Sequence, residues 1–129
     1  MAKPRILLVD DSPLFLRQVK GMLSEKYDVE MATSGDKAIM MLDRVSPDLI
    51  LLDYEMPGMN GRDTLNAIRK LPVFKSIPVI FLTAVADKAH IRDVLSLRPD
   101  GYILKPVAKA DLLKRIAEVR GEFDLASFF

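Results

Sequence analysis

The chain has 129 residues, half of them hydrophobic, and 19 basic residues against 18 acidic ones give a net charge of +1. That length suffices for one domain with a sizeable core, and the balanced charge leaves no electrostatic footprint for nucleic acid or an anionic membrane. The absence of cysteine and the single histidine, His90, exclude a disulfide framework, a thiolate metal site and a histidine metal cluster.

Short apolar runs alternate with helix-length amphipathic segments. The first run, "RILLVD" (5–10), is too short for a signal peptide or a membrane span of about 20 residues, so a cytoplasmic location is expected. Ser12 then reads as an N-cap with Pro13 at the first helical position, and Phe15, Val19, Met22 and Leu23 form an apolar face. The second run, "DVEMA" (28–32), alternates polar and apolar residues as an edge strand does, and Ala38, Leu42 and Val45 mark the helix after it. The third, "DLILLD" (48–53), is apolar until it meets Asp53, and is followed by the turn "MPGMNG" and a helix marked by Leu65, Ile68 and Leu71. "PVIFLTA" (78–84) and "GYILKP" (101–106) complete the set. Their helices are marked by Ile91, Val94 and Leu95, and by Leu112, Leu113, Ile116 and Val119. The first, third and fourth runs suit central parallel strands covered on both faces. Five strands strictly alternating with five helices predict one doubly wound α/β domain.

The polar residues at the C-terminal ends of the runs define the candidate site. They are Asp10 and Asp11, Asp53, Thr83, and Lys105 before Pro106. In an open parallel sheet, ligands bind outside those ends, where the winding direction reverses. Three carboxylates gathered there repel one another, and one lysine cannot offset them all. A hard divalent cation such as Mg²⁺ relieves the repulsion and recruits phosphate oxygens. Asp53 then reads as a nucleophile that attacks a phosphoryl group. Lys105 and the metal spread the transferring charge, and Thr83 is placed to hydrogen-bond a phosphoryl oxygen.

In sequence order, "ILLVDDSP", "DLILLDYEMPGMNG", "VIFLTA" and "YILKP" resemble the receiver domain of bacterial two-component response regulators, of the chemotaxis-regulator kind. The resemblance covers residues 4 to about 120. It implies a flavodoxin-like sheet of order 2-1-3-4-5, with a receiver domain over 1–120 and a C-terminal tail or linker start over 121–129. It makes Asp53 the phosphoacceptor, Asp11 a direct Mg²⁺ ligand, Asp10 an acid reaching the metal mainly through water, and the Glu55 backbone carbonyl a further ligand. Thr83 matches the switch hydroxyl, Tyr102 the aromatic switch residue and Lys105 the phosphate-binding lysine, with a cis bond to Pro106. The implied donor is a phosphohistidine on a kinase or phosphotransfer protein, or a small acyl phosphate. The implied output surface is the fourth helix, fifth strand and fifth helix.

Several positions carry plainer alternatives. Glu55, a carboxylate two residues after Asp53, can repel a phosphoryl group, assist the metal, or pair with Lys88. Val85, apolar and branched, can hinder hydrolytic water, and together these two suggest a long-lived phosphorylated state. Tyr102 also suits an ordinary strand position. His90 reads as a helix surface residue away from the acidic edge, and the methionines read as core filler. A haloacid-dehalogenase-like phosphatase shares the aspartyl nucleophile and Mg²⁺. It needs a second Asp where Glu55 stands, and usually a cap domain for which no chain is left. A pseudo-receiver conflicts with the intact acid triad, and a flavin binder with the absence of a Ser/Thr/Gly-rich phosphate loop in "DDSPLF". The chain reads as a single-domain regulator or the receiver of a longer protein. Mixed charges at Lys88, Arg92, Asp93, Lys109, Asp111 and Arg115 allow a phosphorylation-dependent dimer. The three phenylalanines of 121–129 are unusual for a solvated tail.

Overall fold

A computed structural model describes residues 2–84 and 87–122. Strands β1 (Arg5–Val9), β2 (Asp28–Ala32), β3 (Leu49–Asp53), β4 (Val79–Thr83) and β5 (Gly101–Leu104) form one parallel sheet in the order β2-β1-β3-β4-β5. Helices α1 (Pro13–Leu23), α2 (Gly35–Val45), α3 (Gly61–Arg69), α4 (Lys88–Ser96) and α5 (Lys109–Arg120) connect and follow the strands. The order reverses between β1 and β3, so their C-terminal ends open onto the crevice where α/β sheets bind ligands.

Each central strand feeds two cores because successive side chains point to opposite faces. Ile6 and Leu8 of β1, Leu49 and Leu51 of β3, and Ile80 and Leu82 of β4 pack with Leu16, Val19 and Leu23 of α1 and Leu112 and Ile116 of α5. The alternate residues, Leu7, Val9, Ile50, Leu52, Val79 and Phe81, pack with Ala38 and Leu42 of α2, Leu65 and Ile68 of α3, and Val94 of α4. All residues of β3 and β4 are buried, whereas β2 alternates and β5 is half covered, as befits edges. A register slip of one residue would exchange the two cores, so alignment is strongly fixed where both faces are dry.

Helix starts follow local chemistry. The side chains of Ser12, Ser34, Asn60 and Asp87 accept backbone N–H bonds from the first turns of α1 to α4. The face expected on α4 is corrected in part. Val94 is buried, but Leu95 is 52% exposed and Ile91 only half buried. The inward stripe is instead His90 and Val94, one turn apart on the same side, which rotates Leu95 outward. The phenylalanines of the tail, Phe123, Phe128 and Phe129, lie outside the described residues. Before them, Tyr27 donates from its hydroxyl to Glu122, which also pairs with Arg120.

Candidate functional site

β1 ends by delivering Asp10 and Asp11 to the crevice, and β3 ends at Asp53 beside them. One carboxylate oxygen of each lies within 4.8 Å of the others. Asp10 and Asp53 are buried, at 1% and 4% exposure, while Asp11 is open to solvent. Asp10 is held at both oxygens: Oδ1 accepts the Ser12 N–H at 2.9 Å, and Oδ2 accepts from Lys105 Nζ at 2.6 Å. Asp53 Oδ1 accepts the Glu55 N–H at 3.3 Å and lies 3.5 Å from the same ammonium.

Lys105 therefore reaches from the end of β5 across β4 to both buried acids. The Lys105–Pro106 peptide is cis, as the resemblance implies. The lysine ammonium also stands 4.2 Å from the centroid of the Phe15 ring on α1, a cation–π contact. Phe15 was expected only as part of the apolar face of α1. Its place in the first turn after the acidic pair was the available signal.

One ammonium for three carboxylates leaves the cluster short of positive charge. Burial pushes the Asp53 carboxyl up to about 7, helped by the Asp10 charge, while Lys105 and the Glu55 N–H act in the opposite sense. Every buried side-chain polar atom among the described residues has a hydrogen-bond partner. The deficit is thus one of charge, not of hydrogen bonds. An all-oxygen set, one member open to solvent, is the donor chemistry that suits a hard cation keeping part of its water shell. The residues fit such an ion.

The loop between β3 and α3 shapes the other side. Gly58 turns at φ +72°, and the Gly61 N–H donates to the Tyr54 carbonyl at 2.9 Å. A Cβ at Gly61 would stand 2.5 Å from the Asp53 carbonyl oxygen and 2.7 Å from Tyr54 Cα, so only glycine allows α3 to start that close.

Thr83, fully buried, ends β4 beside Asp53, whose paired residue across the ladder is Leu82. Its hydroxyl lies 3.4 Å from His90 Nε2. His90 is thus at the site, contrary to the sequence expectation of a surface position, because the α4 face carrying Val94 carries it too. Its Nδ1 lies 3.8 Å from Glu55 Oε1, and its ring stands edge-on to Tyr54 with centroids 4.5 Å apart. Of the alternatives open for Glu55, pairing with Lys88 is replaced by this contact with His90 among the described residues. Tyr102 is half buried, paired with Phe81 across the ladder and packed on the α2–α3–α4 side of the core. Val85 lies outside the described residues. Of the charges considered for a dimer face, Asp93 pairs with Arg62 and Arg115 with Glu118.

The fold and the convergence of these side chains define a class, and sequence comparison gives it a family. A family model described as "Response regulator receiver domain" matches residues 6–117, and the chain belongs to that family. It is 39% identical over 125 residues to the protein-glutamate methylesterase/protein-glutamine glutaminase of Trichodesmium erythraeum, covering 93% of this chain and 35% of that protein. It is 38% identical over 114 residues to the nitrate/nitrite response regulator protein NarL of Escherichia coli, covering 86% of this chain and 52% of that one. The chain thus spans about a third of the first relative and about half of the second. In structure it is similar to chemotaxis protein CheY4 of Vibrio cholerae, with a TM-score of 0.85 and 28% identity over 92% of this chain and 99% of that one. No helix among the described residues is long and apolar enough to cross a membrane.

Proposed function

We propose that this chain is a phosphorylation-dependent signalling switch that accepts a phosphoryl group on Asp53. The observation that carries the reading is the meeting of Asp53, two further acids and Lys105 at the crevice of a receiver-family sheet. Asp10, Asp11, Asp53 and the Glu55 backbone carbonyl would hold Mg²⁺, which when bound supplies the positive charge that the acid cluster lacks.

The donor is a phosphohistidine on a histidine kinase or phosphotransfer protein, or a small acyl phosphate. A carboxylate oxygen of Asp53 forms a bond to phosphorus as the bond from phosphorus to the donor nitrogen breaks, and the electron pair leaves with the imidazole. Lys105, steadied by the Phe15 ring, meets the oxygens of the transferring group, so positioning and charge supply most of the catalysis. The Thr83 hydroxyl then donates to a phosphoryl oxygen and Tyr102 turns inward. That change biases the surface made by α4, β5 and α5. The chain catalyses its own phosphorylation and dephosphorylation rather than turning over a separate substrate. The aspartyl-nucleophile phosphatase is disfavoured because Glu55, where its acid–base residue would stand, is turned to His90.

The receiver occupies 1–120, followed by a tail or linker start at 121–129, and acts in the cytoplasm without binding nucleic acid or membrane itself. Homodimerisation on phosphorylation is part of the proposal. The test is intact mass after incubation with acetyl phosphate and Mg²⁺. One added phosphoryl group that requires the metal and is absent in Asp53→Asn supports the switch. No addition with a cognate kinase or with acetyl phosphate overturns it.

A further inference from the structure

The contact between α4 and the end of β4 is made by a side chain to which the phosphoryl chemistry assigns no role. His90 has two nitrogens and gives one to each side of the crevice: Nε2 to the Thr83 hydroxyl at 3.4 Å, and Nδ1 toward Glu55 Oε1 at 3.8 Å. Its side chain is only 16% exposed, against 56% for Glu55. The ring is fixed by packing. It stands edge-on to Tyr54, which itself stands edge-on to Phe81, a fully buried residue of β4, with centroids 5.5 Å apart. Val94, one turn on, is the buried residue that seats the same face of α4. The Asp87 side chain caps the helix by accepting the N–H of His90 itself. Backbone and ring are therefore both held, and Nε2 has little freedom to leave Thr83 unless α4 moves.

We propose that His90 is a positioning residue for Thr83, holding its hydroxyl in the resting arrangement so that phosphorylation must break the Thr83–His90 contact. This rests on the receiver reading above and adds the group that opposes the switch. The same contact would carry the change outward. When Thr83 turns to a phosphoryl oxygen, the His90 ring loses its inner partner and keeps its contacts with Glu55 and the Tyr54 ring, so the hold on the start of α4 weakens. An equilibrium that both ends bias must respond at one end when the other is altered. Removing the resting contact should therefore strengthen the binding of a phosphoryl mimic at Asp53.

The experiment is calorimetric titration of the whole chain with beryllofluoride at fixed Mg²⁺, with a thermal melt of each variant. Glutamine places its amide nitrogen near the position of Nε2, and asparagine places its own near Nδ1, so the two separate the contacts. His90→Ala and His90→Asn should bind the mimic about threefold to tenfold more tightly, as loss of one modest hydrogen bond implies. His90→Gln should stay within about twofold of the native chain. In a Thr83→Ala background, His90→Ala should change affinity no further. A merely structural histidine would lower melting temperature in all three variants without separating Asn from Gln. Unchanged or weaker binding in His90→Ala, equal behaviour of Asn and Gln, or the same effect without the Thr83 hydroxyl overturns the inference. Native binding that is lost in Asp53→Asn, with no response to His90, sinks this inference alone. A native chain that takes no mimic in Mg²⁺ sinks the receiver reading with it.

Discussion

Asp53→Asn should make the metal-free protein more stable at neutral pH, although it removes the residue proposed to accept the phosphoryl group. The folded state raises the Asp53 carboxyl from 3.8 to about 7, chiefly by burial and secondly by the Asp10 charge. A carboxyl whose pKa is raised on folding favours the folded state while protonated. That contribution is fully present below the unfolded value and is lost as pH rises through the folded one. Above about pH 7 the folded chain therefore carries the whole cost of ionising Asp53, on the order of 4 kcal/mol for a displacement of this size. An asparagine keeps the oxygen that accepts the Glu55 N–H and carries no charge. Allowing for relaxation and water entry, the variant should be more stable by roughly 2–4 kcal/mol near pH 8. Near pH 4 most of that gap should close, because the folded carboxyl is then protonated and the unfolded one nearly half so. Urea unfolding with a chelator present, run on both proteins at both pH values, reads the difference directly, and comparing native with variant cancels the other carboxylates. A variant no more stable near pH 8, or a gap that does not shrink on acidification, would refute the account of the site as a charge-deficient cluster.

Mg²⁺ should raise the stability of the native chain by about 2.7 kcal/mol at a hundredfold excess over its dissociation constant. Melts with and without the ion check this, and Asp11→Ala should lose most of the increment. Lys105→Met removes the cation that bonds Asp10 at 2.6 Å and faces Asp53 at 3.5 Å; acyl-phosphate formation followed by mass should slow by roughly a hundredfold. It should also destabilise the metal-free fold, because two buried acids lose their counter-charge, by about 2–4 kcal/mol in urea. Gly61→Ala meets two backbone atoms, the Asp53 carbonyl oxygen and Tyr54 Cα, which cannot swing aside as a side chain would. It should cost at least about 2 kcal/mol, and phosphorylation should fall even at temperatures where the variant is fully folded.

The parts of this molecule that follow from repeating patterns were legible in its sequence. Apolar runs such as Leu49–Leu52 announce strands covered on both faces, and their alternation with helices sets the layers. The acids, hydroxyl and lysine at the strand ends come together because parallel strands all point one way. His90 was not legible, because α4 offers two competing apolar stripes. Ile91, Val94 and Leu95 suggest one inward face, whereas the helix seats itself on His90 and Val94. The position of Tyr54 against the imidazole, itself backed by Phe81, decides between them. Phe15 was half legible: its partial burial follows from spacing, but its place under the Lys105 ammonium depends on how β5 delivers that lysine across the sheet.

The buried carboxylate that opens onto the turn after β3 also explains why such a site should depend on a cation. A carboxyl near 7 is protonated in a large fraction of molecules at neutral pH, and a protonated oxygen is a poor nucleophile. Lys105 alone does not bring Asp53 back to the ordinary carboxylate range, because burial and then the Asp10 charge push it up, and the ammonium bonds more closely to Asp10 than to Asp53. A further positive charge held by Asp11 and its neighbours would ionise Asp53 and stabilise the fold by the same interaction. On this reading the exposure of Asp11, beside two buried partners, is functional. It leaves one side of the acid cluster open to solvent, while the closed side aligns Asp53 with Lys105.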